Sequence, residues 1–145
     1  MIDPYAVTQY NLKSHELEET ILFWICAAGK NGVSAAAALE RFMVKAHNFL
    51  ELDRRQPFVA VKHFSQVGIS NLMKQSGIGC YGLKSISFDK IANSELDLKT
   101  CSREELVAIP GIGMKTASCF IMHSRRDARI AGLDVHILRF LQDKG

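Results

Sequence analysis

No two of the four cysteines, Cys26, Cys80, Cys101 and Cys119, stand at C-x-x-C spacing, and each lies singly in or beside an apolar stretch. That pattern excludes a zinc ribbon, a thioredoxin-like redox pair and a secreted disulfide framework, and points to reduced thiols in an intracellular protein. No apolar run approaches the ~20 residues of a membrane span, and the opening MIDPYAV lacks the basic-then-apolar order of a signal peptide. The five histidines form no H-x-x-x-H pair, so single ones such as His47, His63 and His123 read as solvent or core residues rather than metal ligands. Alternating apolar and polar runs bounded by turns are missing too, which argues against a strand-dominated fold. No repeat or low-complexity segment stands out.

What is present fits one soluble domain spanning 1–145. The chain is 48% hydrophobic and 23% charged, an ordinary globular balance, and can bury roughly two-thirds of its unfolded surface around a single core. A formal net charge of +3 permits an anionic partner without demanding one. The architecture expected is all-α, a bundle of short helices joined by tight glycine turns. Ser14 is placed to cap a first helix carrying Leu17, Ile21, Leu22, Trp24 and Ile25, buried on most sides and stopped by Gly29. A second starts near Ser34 and turns Leu39, Phe42, Met43 and Ala46 inward. Pro57 suits the first turn of a third, with Gly68 as its stop, and Ser70 a cap for a fourth, closed by Gly77. Leu83, Ile86, Ile91 and Ala92 suggest a fifth. Ser102 and Glu105 form a capping box that opens a short sixth helix, a seventh runs from about Met114 to His123, and Asp134 is placed to cap the last.

Between the sixth and seventh helices stands AIPGIGMKTA, residues 108–117. Gly111 and Gly113 allow a sharp turn with exposed backbone N–H groups, and a helix begins immediately afterwards. Amides and the positive helix end then point the same way, a natural seat for a phosphate oxygen held without sequence readout. A bare P-G-x-G is more often a helical corner that only reverses the chain.

The surroundings add to the motif. The segments EELVAIPGIGMKTASCFIM and GLDVHILRFL resemble the helix-hairpin-helix DNA glycosylases of the endonuclease III and 8-oxoguanine glycosylase superfamily, whose hairpin reads L-P-G-[VI]-G-x-K-x-A and is followed by an aspartate in a V-D-x-H segment. The lysine is Lys115 here and the aspartate is Asp134, nineteen positions on. FWICAAGKNGVS and GIGCYGLKS resemble the family's base-replacing loop and strand-wedging segment more loosely, extending the resemblance over about residues 18 to 142.

The resemblance implies a hairpin region at about 103–124 and a base-excision-repair enzyme, a bifunctional DNA glycosylase and lyase acting on double-stranded DNA with an oxidised base, 8-oxoguanine favoured. Lys115 and Asp134 would be the catalytic pair. An amine nucleophile must be neutral, which desolvation and a helix N-terminus both favour, and an ionised carboxylate stabilises a cationic sugar. Gly111 and Gly113 would hold backbone. Lys30 or Asn31 would fill the hole of the extruded nucleotide, although Gly29 replaces the family's usual Gln or Asn; Tyr81 would wedge between bases. Arg125 and Arg126 in SRRDAR would contact phosphate. Cys119, one turn beyond Lys115, would line the base pocket. Each has a plainer reading: Lys115 a solvated lysine, Asp134 a cap, Tyr81 and Cys119 core, the arginines a solvated face. GIGCYG satisfies G-x-G-x-x-G, but no strand precedes it, so a nucleotide site is rejected.

The family's iron–sulfur cysteine loop is absent, so no cofactor is expected beyond a monovalent cation at the hairpin. Helices that relatives add at both ends are missing as well, implying a reduced second lobe that a partner or a further segment completes. Two rival functions stand beside the lyase: a non-catalytic helix-hairpin-helix DNA-binding module, and a monofunctional mismatch or alkyl-base glycosylase. No membrane partner is expected, and the chain belongs where its DNA is, in the cytoplasm and nucleoid, or in the nucleus of a eukaryote.

Overall fold

The computed structural model describes residues 2–53 and 55–126. Among the described residues the fold is all-helical: α1 (Ser14–Ala27), α2 (Gly32–Leu50), α3 (Pro57–Lys62), α4 (Gln66–Ser76), α5 (Tyr81–Asn93), α6 (Arg103–Val107) and α7 (Met114–Ser124). No strand occurs among them, and none of these helices is long and apolar enough to cross a membrane.

Helix α1 packs against α2, α3, α5 and α7, which is why its buried residues, Leu17, Ile21, Leu22, Phe23, Ile25 and Cys26 among them, cover most of its circumference. The core also holds Phe42 and Met43 of α2, Met73 of α4, Phe88 and Ile91 of α5 and Phe120 of α7, all fully buried. Phe42 and Phe88 meet edge-on with centroids 5.3 Å apart, a favoured aromatic geometry. Burial pushes the Cys26 thiol up to about 12, outweighing the nearby Lys84 charge.

Several boundaries fall where capping chemistry predicts. Asn31 Oδ1 accepts hydrogen bonds from the Val33 and Ser34 amides at 2.8 and 3.3 Å, so α2 begins slightly earlier than its alanine run suggests. Pro57 occupies the first turn of α3, and Gly77, with φ +84°, closes α4. Ser102 and Glu105 form the reciprocal capping box of α6, with both bonds at 3.0 Å.

Three expectations are corrected. Ser14 is the first residue of α1 rather than its cap; the Lys13 amide instead donates to Glu16 Oε1 at 3.0 Å. Gly68 does not stop α3 and Ser70 does not cap α4: α3 ends at Lys62, and Ser65 Oγ accepts from the Gly68 amide at 3.1 Å. Gly68 therefore lies inside α4, satisfied by a serine three residues earlier. In α5, Leu83 faces outward while Lys84, Ser85 and Ser87 are buried.

Candidate nucleic-acid interface

The turn between α6 and α7 is a type II β-turn. The Ile112 amide donates to the Ile109 carbonyl at 3.0 Å, Pro110 holds the second position and Gly111 the third with φ +85°, the conformation in which proline and glycine are each favoured. A Cβ at Gly111 would overlap Ser87 Oγ, and Leu83 of α5 lies within ordinary contact. The Ser87 hydroxyl donates to the Pro110 carbonyl at 2.8 Å. The turn is thus pressed onto α5, and its buried anchor is Ile112.

Gly113 differs. It has extended backbone, φ −84° and ψ 173°, and a Cβ there would meet nothing within 4 Å among the described residues. It is the N-cap of α7, where no side-chain cap bond forms and the first turn holds no acidic residue. Helix α6, by contrast, has its capping box and two glutamates in its first turn. First-turn amides without an intrahelical partner, the positive helix end and open space above Gly113 coincide at one point. Lys115, in that first turn, is exposed. Cys119, one turn further along, is half-buried; desolvation raises its thiol pKa and the charge of Lys115 partly opposes the rise.

A second region adjoins the hairpin through α5. The Lys84 ammonium, on a residue 5% exposed, donates to the Cys26 carbonyl at 2.8 Å and the Ala28 carbonyl at 3.2 Å, closing the C-terminus of α1. Burial lowers the Lys84 pKa. Lys30, in the turn that follows α1, lays its side chain over Gly79, where an added Cβ would meet Lys30 Cε at 2.8 Å. Tyr81 opens α5 next door and is exposed, as are Leu83 and Met114. Lys30, Tyr81 and the hairpin are consequently arranged around the N-terminal half of a single helix.

The remaining predicted contacts lie elsewhere. The Asn31 carboxamide oxygen is occupied as the α2 cap. Arg125 donates to the Leu98 and Cys101 carbonyls at 2.9 and 2.7 Å, tying the loop before α6 to the end of α7. Arg126 sits 5.3 Å from the centroid of the Tyr10 ring. Both arginines are at the far end of α7, about 15 Å along its axis from Lys115 at 1.5 Å per residue. Asp134 lies outside the described residues. Lys84 and Ser87 went unrecognised in the sequence because buried polar residues interleaved with apolar ones carry no periodic signal; the only hint was a lysine in GIGCYGLKS.

Among the described residues no group of three His, Cys, Asp or Glu is placed to hold a metal ion. The family described as the helix-hairpin-helix motif matches residues 94–121, from the end of α5 through α6 and the glycine turn into α7. No curated protein and no solved structure matches the chain. The type II turn, the uncapped α7 and the motif match coincide on one stretch, and the chain carries a helix-hairpin-helix motif.

Proposed function

We propose that this protein grips the backbone of double-stranded DNA with its hairpin and uses Lys115 to excise a damaged base and nick the strand, as a DNA glycosylase with lyase activity. The observation that carries the proposal is the N-terminus of α7, which among the described residues has no side-chain cap, no first-turn acid, free space over Gly113 and a lysine in the first turn. A phosphate oxygen accepts the free amides, and Lys115 stands within one helical turn of it.

The chemistry then runs as follows. With the target nucleotide extruded, the neutral ε-amine of Lys115 attacks C1′; a C1′–N bond forms as the glycosidic bond breaks, and the base leaves with the electron pair and takes up a proton. The sugar ring opens to a protonated Schiff base. Loss of a proton from C2′ expels the 3′ phosphate by β-elimination, and water releases the lysine. Asp134, read from the sequence alone, would balance the positive charge on the sugar as the base departs. Cys119, on the same helix face as Lys115, would line the pocket of an oxidised purine such as 8-oxoguanine.

The alternative is a module that binds DNA without altering it, and the exposure of Lys115 favours it, since a solvated lysine serves as a charge more readily than as a nucleophile. Borohydride trapping on duplexes bearing 8-oxoguanine or an abasic site separates the readings. We expect a covalent adduct that Lys115→Gln abolishes, with duplex binding weakened only severalfold by the lost charge. Duplex binding with neither an adduct nor base release establishes the module instead. Base release without nicking marks a monofunctional glycosylase.

A further inference from the structure

We infer that Ser87 is a positioning residue for the hairpin: its hydroxyl holds the Pro110–Gly111 peptide unit in the one orientation that presents the Gly111 N–H to a DNA phosphate. This rests on the DNA-binding half of the function proposed above and on none of its chemistry.

The argument starts from the geometry of the turn. Type I and type II turns share the outer hydrogen bond, here Ile112 N to Ile109 O at 3.0 Å. They differ by a flip of the central peptide unit, which here joins Pro110 to Gly111. That unit is planar and trans, so its carbonyl oxygen and amide hydrogen point in opposite directions. Turning one inward turns the other outward.

Ser87 selects between the two. Its side chain is 1% exposed on the face of α5 that receives the hairpin, and its hydroxyl donates to the Pro110 carbonyl at 2.8 Å. The competing acceptor, the Leu83 carbonyl within α5, is more distant at 3.3 Å. The Pro110 carbonyl is therefore held toward α5, and the Gly111 N–H is directed away from it, on an exposed residue at the mouth of the α7 N-terminus. The absence of a Cβ at Gly111 permits the approach, because a methyl there would overlap Ser87 Oγ. Glycine and serine are a matched pair: one allows the contact and the other uses it. Proline at the second position and glycine at the third favour this orientation locally, and the Ser87 hydroxyl adds a tertiary contact that fixes the Pro110 carbonyl in it.

Without the hydroxyl, the inward carbonyl loses its partner and the central unit, held only by the local preference of proline and glycine, exchanges more readily between the two orientations. The outer bond, the helices and the lysines stay as they are. Ser85 supplies a matched control. It is fully buried on the same helix and its hydroxyl donates to the Gly82 carbonyl at 3.0 Å, entirely within α5.

The experiment compares wild type, Ser87→Ala and Ser85→Ala by amide NMR without DNA, and by binding to an undamaged duplex over a range of salt. We expect Ser87→Ala alone to broaden the Gly111 and Ile112 amide resonances by exchange. Its duplex affinity should fall on the order of tenfold, as for one lost charge-assisted hydrogen bond, with an unchanged salt slope because no cation is removed. Sharp, unshifted Gly111 and Ile112 resonances in Ser87→Ala overturn the inference, as does an affinity loss shared equally by Ser85→Ala. If Ser87→Ala does not fold, Ser87→Cys, with a weaker donor, is judged by the same two criteria. Failure of the wild type to bind duplex sinks the DNA-binding reading and with it the phosphate role of Ser87, whereas wild-type binding matched by Ser87→Ala sinks the Ser87 role alone.

Discussion

Gly111 and Gly113 look interchangeable in the motif but meet different physical demands. Gly111 has φ +85° and no room for a Cβ; Gly113 has extended backbone and open space. An alanine at Gly111 must adopt a disfavoured backbone and displace Ser87, so Gly111→Ala should cost about 2–4 kcal/mol in urea unfolding, the sum of a strain and an overpacking penalty. At Gly113 the same change should stay within ~1 kcal/mol, the N-cap preference for glycine over alanine. Its methyl would stand over the α7 amides, so duplex affinity should drop severalfold while the fold persists. Equal stability losses at the two positions would show that the hairpin is not seated on α5 as described. The sequence made both glycines and Lys115 conspicuous by spacing, but it could not separate the glycine that packs from the one that leaves a site open. Nor could it show that Asn31 caps α2 or that Arg125 clamps a loop, because both residues look like free polar groups until their partners are in place.

At the scale of elements, α5 organises the candidate interface. Lys84 fastens the end of α1, and Ser87, one turn further along the helix, fastens the hairpin. The spacing of Leu83, Ile86, Ile91 and Ala92 suggested this helix, and Ile91 and Ala92 are buried, yet near its N-terminus Leu83 is exposed while Lys84 and Ser87 turn inward to carbonyl groups of neighbouring elements. Lys84→Met keeps an unbranched apolar stem and removes the ammonium, leaving the Cys26 and Ala28 carbonyls without that donor. We expect a loss of about 1–3 kcal/mol, the usual cost of stranding buried partners, with faster amide exchange in the turn that carries Lys30. No loss in urea unfolding would mean that the relief of burying the charge balances the broken bonds. The misplaced boundary between α3 and α4 has a comparable origin: Gly68 reads as a stop locally, but the Ser65 hydroxyl makes it the first turn of the next helix.

For the molecule as a whole, the N-terminal segment is bound to the end of α7. The Gln9 amide donates to the His123 carbonyl at 3.0 Å, Thr8 Oγ1 and His123 Nδ1 share a hydrogen bond of 2.6 Å, and the imidazole stacks on Trp24 at 5.2 Å. Desolvation lowers the His123 pKa below its ordinary value of 6.5. A histidine that resists protonation in the folded state leaves the unfolded chain binding more protons as pH falls below that ordinary value. Its contribution is therefore intact above about 6.5, declines as pH drops toward the folded pKa, and levels off below it. Urea midpoints measured from pH 7.5 to pH 5 should fall in the wild type and fall less steeply in His123→Gln; parallel profiles would remove His123 as the cause.

The helices of the described residues, a capping box ahead of a proline-glycine turn and a lysine in the turn of helix that follows are determined by the sequence alone, because each depends on neighbours within four or five residues. Which glycine bears the strain, which serine and lysine are buried, and which arginines are spent on carbonyl groups were decided only by the tertiary structure. Those outcomes depend on what α1, α5, the hairpin and the loop before α6 bring together from twenty to sixty positions apart, and no local pattern encodes a partner at that range.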